Sequence, residues 1–109
     1  MNPKDIKQIL AQTGLPLTYY QWPEKEAPAL PYIVWYLPGT DNFAADDKVY
    51  QQIHTLNVEL YTDNKDFELE QTVEAVLEAN ELVWDKVEAY IDTERMYQVL
   101  YTMEVYING

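Results

Sequence analysis

From Tyr97 to Ile107 every second residue is large and apolar: Tyr97, Val99, Tyr101, Met103, Val105 and Ile107. A period of two over that length predicts a strand with one buried face, and such a strand needs partners. The rest of the chain offers them. Tyr32 to Leu37 is a β-branched and aromatic run bounded by Pro31 and by Pro38-Gly39, a strong strand signal. Val49 to Thr62 reads as a long extended segment in which Leu56, Val58 and Leu60 alternate with Asn57, Glu59 and Tyr61. Val49 and Ile53 fall on the opposite parity, which asks for a bulge or for a first half that projects beyond the core. Leu17 to Trp22 lies between Pro16 and Pro23 and reads as a short or edge strand. Val83 to Ile91 and Arg95 to Ile107 flank a tight turn at Asp92-Thr93-Glu94.

Two helices complete the pattern. Pro3 suits a first helical turn with Asn2 as its cap; Ile6, Ile9, Leu10 and Thr13 follow at helical spacing, and Gly14 is the expected stop. After an irregular connector from Pro23 to Pro31 and the strands above, Asp63-Asn64-Lys65-Asp66 reads as a turn and helix cap. Leu69, Val73, Val76 and Leu77 then form one apolar stripe, with an end near Asn80. The expected architecture is a single α+β domain over residues 1–109. It has an antiparallel sheet of mixed-length strands with two helices packed on one face, in the order α-β-β-β-α-β-β. A chain of 109 residues has the size of one such domain.

Composition narrows the chemistry. There is no cysteine, which removes disulfides, zinc fingers and thiol nucleophiles, and the single histidine, His54, argues against a histidine-rich metal site. His54 sits mid-strand among polar neighbours and reads as an exposed or interface residue rather than a catalytic base. Glycine occurs only at 14, 39 and 109, so no glycine-rich phosphate loop exists. The acidic pairs Asp46-Asp47 and Asp63/Asp66 lack the ligand order of a calcium loop. No convergent acid, base and nucleophile set is visible, so no enzyme activity, catalytic residue, metal or cofactor is expected. Nineteen Asp and Glu against seven Lys and Arg give a net charge of −12, unsuited to gripping nucleic acid or an anionic membrane. No apolar run approaches the ~18 residues of a membrane helix, and no signal peptide opens the chain. Ten tyrosines and three tryptophans suit sheet surfaces and protein interfaces alike. Asp66, Glu70, Glu74 and Glu78 recur every fourth residue and read as an exposed acidic helix face, either merely solvated or a wall that must not stick to a polyanion.

The helix ending in TGLPLTYY, the PYIVWYLPGTDNF segment, the ADDKVYQQIHTLNVELYTDNKDFELE segment and the terminal ERMYQVLYTMEV run together resemble a small family of tail-assembly proteins. These are the tail-terminator, tail-completion or head–tail joining proteins of long-tailed phages and prophages of Gram-positive bacteria. The resemblance covers nearly the whole chain and rests on structural motifs. It implies a domain that forms a hexameric ring, caps the finished tail tube at the head-proximal end and offers the docking surface for the filled head. The implied partners are further copies of the chain, the tail-tube protein and a head-completion or connector protein, with no specific nucleic-acid or membrane binding. The location is then the virion, with assembly in the host cytoplasm.

The family's long β-hairpin loop corresponds to Gly39–Lys48, whose ten or so residues exceed the usual ~2–5 of a hairpin connection. Asp41, Asn42, Phe43, Asp46, Asp47 and, just beyond, Tyr50 are the candidate interface residues, with Phe43 as an aromatic anchor or, alternatively, a plug for the domain's own core. Two rival roles are a head-closure or minor capsid component and an acidic inhibitor that mimics DNA. The second requires carboxylates spaced like phosphates on one convex face.

Overall fold

Strand and helix boundaries follow local chemistry closely in the computed structural model, which describes residues 1–45 and 47–107, with the backbone alone for Phe43, Ala44, Ala45 and Tyr50. The first helix, α1, is Pro3–Ala11. Asn2 accepts the Asp5 N–H at 3.1 Å and the Asp5 carboxylate accepts the Asn2 N–H at 2.8 Å, a reciprocal cap that satisfies two end donors. The helix stops short of Thr13 because the Thr13 hydroxyl donates to the Leu10 carbonyl at 2.7 Å in a closing turn; Gly14 follows at φ 77°.

The strand β1 is only Leu17–Tyr19 and runs parallel to β2, Tyr32–Thr40. It ends before the expected Trp22 because Tyr20 turns to φ 69°. β2 runs past Leu37, with a register shift between Tyr36 and Gly39 that accommodates Pro38. Next come β3, Phe43–Ala45, and β4, Lys48–Thr62, which pair antiparallel. Gly39–Lys48 is therefore not one long loop. The Asp41 N–H donates to the Ile53 carbonyl at 2.8 Å, and Asn42 accepts the Ile53 N–H at 3.2 Å, which carries the chain directly into β3.

The second helix, α2, is Phe67–Ala79, capped by Asp66, whose side chain accepts the Leu69 N–H at 3.0 Å, and closed at Asn80. The final hairpin is β5, Asp85–Ile91, and β6, Met96–Ile107. β5 begins two residues later than the expected Val83: Leu82 is drawn into the core, which leaves Val83 86% exposed.

Among the described residues the strand order is β1-β2-β4-β6-β5, with β3 attached to β4. The architecture is the expected single α+β domain with two helices on one face, refined to α-β-β-β-β-α-β-β and to a mixed sheet by parallel β1. On the helix face Ile33 stands opposite Leu60, Trp35 opposite Val58, Leu56 opposite Met103, and Val58 opposite Tyr101. Ile6, Ile9 and Leu10 of α1 and Val73 and Leu77 of α2 close over these side chains to form the core. Leu69 and Val76 pack at its margin, partly buried.

Candidate assembly surface

β4 outruns its neighbours. Ile107 of β6 stands opposite Gln52, so Lys48 to Gln51 have β3 as their described partner and form a two-stranded arm. Both outcomes that the parity switch at Val49 and Ile53 allows occur: the first half of β4 projects, and its pairing with β3 shifts register between Val49 and Gln51, while the ladder between β4 and β6 is continuous from Gln52 to Thr62. Asp41 and Asn42 sit exposed at the root of the arm, hydrogen-bonded to Ile53. Asp47 is exposed at the arm's turn, at φ 61°. Asp46 lies outside the described residues, as do the side chains of Phe43 and Tyr50. The fold thus brings Asp41, Asn42 and Asp47, with the backbone of Phe43 and Tyr50, to one projecting element and its root. It does not bring them together with the acidic residues of α2.

Those acidic residues need correction. Asp66 and Glu78 are exposed, but Glu70 is only 3% exposed and Glu74 is half-buried. Helix α2 lies over the β5–β6 hairpin. The helix face of β5 carries Lys86, Glu88 and Tyr90, so that flank of α2 requires polar partners rather than apolar ones. Lys86 bridges Glu74 at 2.8 Å and Glu70 at 3.3 Å; Lys65, from the turn before α2, bonds both Glu70 and Glu88. The buried Tyr101 hydroxyl donates to Glu74 at 2.7 Å. Burial, and then its bond to Glu74, pushes the Tyr101 hydroxyl well above its ordinary pKa. For Lys86 the bond to Glu74 raises the pKa against the opposing effect of burial. For Lys65 burial is the largest influence and lowers it, but bonds to Glu70 and Glu88 together prevail and the net shift is upward. The sequence pattern gave no sign of Lys65, Lys86 and Tyr101 in this network. Lys86 is recognisable only once its place opposite Tyr101 in the ladder is known.

The face of the sheet away from the helices is aromatic and polar. Glu59 accepts hydroxyls from Tyr36 at 3.0 Å and Tyr61 at 2.9 Å, and Gln98 donates to the Tyr61 oxygen at 2.8 Å. The rings of Tyr32 and Tyr61 pack at a tilt with centroids 5.4 Å apart, and those of Tyr20 and Tyr36 likewise at 5.0 Å. Elsewhere on the surface Tyr19, Tyr20, Tyr90 and Tyr106 remain exposed. His54 stands on the helix face opposite Val105, half-buried rather than exposed, with Nε2 3.2 Å from the Gln52 side-chain oxygen. Among the described residues no cluster of three His, Asp or Glu side chains could hold a metal ion, and no helix is long and apolar enough to cross a membrane.

No protein-family model matches the chain, and no curated protein matches it. Among solved structures, the fold is similar to that of a chain from the virion of a native gene transfer agent particle. The TM-score is 0.61 at 13% sequence identity, over 93% of this chain and 84% of that one.

Proposed function

We propose that this chain is a structural virion assembly protein, a subunit of a ring that caps the tail tube of a phage-like particle and gives the filled head its docking surface. The observation that carries the reading is the fold likeness to a virion component, which spans 93% of the chain. The resemblance of its sequence motifs to tail terminators points the same way. The projecting arm supplies a means of lateral contact: a two-stranded ribbon is marginal alone and gains from packing against a neighbour. A ring of six copies at −12 would carry roughly −72, so DNA passing through would not be trapped. A head-closure role is the nearest alternative. Glu70 and Glu74 face lysines instead of forming an outward row with Asp66 and Glu78, so α2 offers neither a wall against a polyanion nor the phosphate-like row that the DNA-mimic role requires.

Microscopy of particles made without this gene tests the proposal. Filled heads beside free tails of irregular, excessive length are expected. Tails of correct length that fail to join would replace termination with joining. Phe43→Ala tests the arm: ring formation should fail while the melting temperature of the monomer barely moves. A melting point many degrees lower with intact assembly would assign Phe43 to the core.

A further inference from the structure

β5 begins at Asp85, opposite Thr102, so the last stretch of β6, Met103 to Ile107, has a strand on its β4 side and, among the described residues, none on the other. Among the described residues no backbone hydrogen bond outside the ladders reaches this stretch. Such an edge carries alternating N–H and C=O groups ready to pair with another strand. Beside it lies a hollow of about 530 Å³, bordered by Glu81, Val83, Asp85, Met103, Glu104 and Tyr106 among others, with no lysine or arginine in its lining.

We infer that the Met103–Ile107 edge is a docking site for an extended basic segment of another protein, added to the sheet as a short strand in line with β5. Five residues of edge give about 17 Å of pairing. Asp85 and Glu104 flank it on the open face, where a lysine or arginine of the incoming strand would meet them, and none of Glu81, Asp85 and Glu104 has an ion-pair partner among the described residues. Exposed Val83 offers an apolar rim for the aliphatic part of such side chains. A second copy of this chain fits poorly, since no strand of it carries more than one Lys or Arg and each copy is at −12. The same carboxylates therefore discourage self-pairing while favouring a cationic guest. The inference does not depend on ring formation.

The test uses an acetylated octapeptide that alternates lysine with valine and threonine, its glutamate-for-lysine counterpart, and backbone amide NMR of the full chain. The basic peptide should shift the amides of Thr102 to Ile107 and Asp85, slow exchange at alternate amides of that edge at least tenfold, and bind at least tenfold more weakly when salt is raised from 50 to 300 mM. Asp85→Lys combined with Glu104→Lys, both exposed positions, should weaken binding at least tenfold with an unchanged melting temperature. Should that double variant fold poorly, Glu104→Gln alone should weaken it several-fold. No binding at millimolar basic peptide, equal binding of the acidic peptide, or shifts centred elsewhere would overturn the inference. Concentration-dependent protection of the same amides without peptide would overturn it too, by making a second copy the occupant.

Discussion

Glu70 and Glu74 are held by charges that come from outside their own helix, and this sets what their removal does. A carboxylate left out of a buried, hydrogen-bonded ion network leaves its partners uncompensated, which costs far more than an exposed pair is worth. Because Lys65 and Lys86 keep partial access to water, Glu70→Gln should destabilise by about 2 kcal/mol, and Glu74→Gln by a comparable or smaller amount. Chemical denaturation checks both; a neutral or stabilising result would mean that the carboxylates behave as solvated surface groups. Reading the sequence for exposed, mutually repelling glutamates fails here for a definite reason. Spacing along α2 reveals the repulsion within the helix, whereas the cations that reverse the sign sit outside it, Lys65 in the turn before the helix and Lys86 on β5, across the tertiary fold. The network also fixes the alkaline response. Tyr101, Lys65 and Lys86 all hold their protons more tightly in the folded state, so the unfolded chain releases them first as pH rises and stability falls. Tyr101 alone lowers stability by up to about 1.4 kcal/mol for each pH unit above 10. Tyr101→Phe should cost about 1 kcal/mol at neutral pH. It should also flatten the fall in melting temperature between pH 10 and 11.5, as followed by circular dichroism. Parallel curves for the two proteins would show that Tyr101 ionises as freely folded as unfolded.

At the scale of elements, α2 is the clasp of the core: Val73 and Leu77 are fully buried between the sheet and α1. Leu77→Ala should cost roughly 2–4 kcal/mol and Val73→Ala less, measured by the denaturation midpoint; a cost under 1 kcal/mol for Leu77 would mean that the site collapses to fill the void. The arm is the opposite kind of element. Lys48, Val49 and Gln51 pair with β3 alone, so their amides should exchange orders of magnitude faster than those of Leu56 to Leu60, which lie between β2 and β6. Equal protection in the isolated domain would show the arm to be as stable as the sheet. These two elements also mark what was legible beforehand. The stripe of α2, its Asp66 cap and the alternation of β4 and β6 are local patterns with strong periods, and they translate directly into structure. β3 is three residues, two of them alanine, too short and too weak in strand preference to show a period. The continuation of β2 beyond Pro38 depends on its pairing with β4 and on a register shift that spacing cannot reveal. The late start of β5 turns on which of Leu82 and Val83 wins a place in the core.

For the whole molecule, net charge sets the terms on which the proposed ring could form. The network around α2 contains Lys65 and Lys86 with Glu70, Glu74 and Glu88, a net −1, which leaves −11 of the total −12 on the remainder of the chain. Internal pairing therefore spends two of the seven cations without relieving the repulsion between copies. Closing a ring of such subunits sets these charges against one another over distances comparable to the Debye length of about 10 Å at 0.1 M salt. In the proposed ring, apolar contacts and strand pairing at the arm must overcome that repulsion, and salt lowers it without weakening them. The free protein should accordingly be a monomer or a weak oligomer in dilute buffer. It should move to a higher, discrete mass as salt or concentration rises, or when tail-tube protein serves as a template. Light scattering across salt concentrations reads this directly. A monomer under every condition, tube protein included, would end the ring proposal, and an oligomer that dissociates as salt rises would mean that attraction between charges, not apolar contact, holds the copies together.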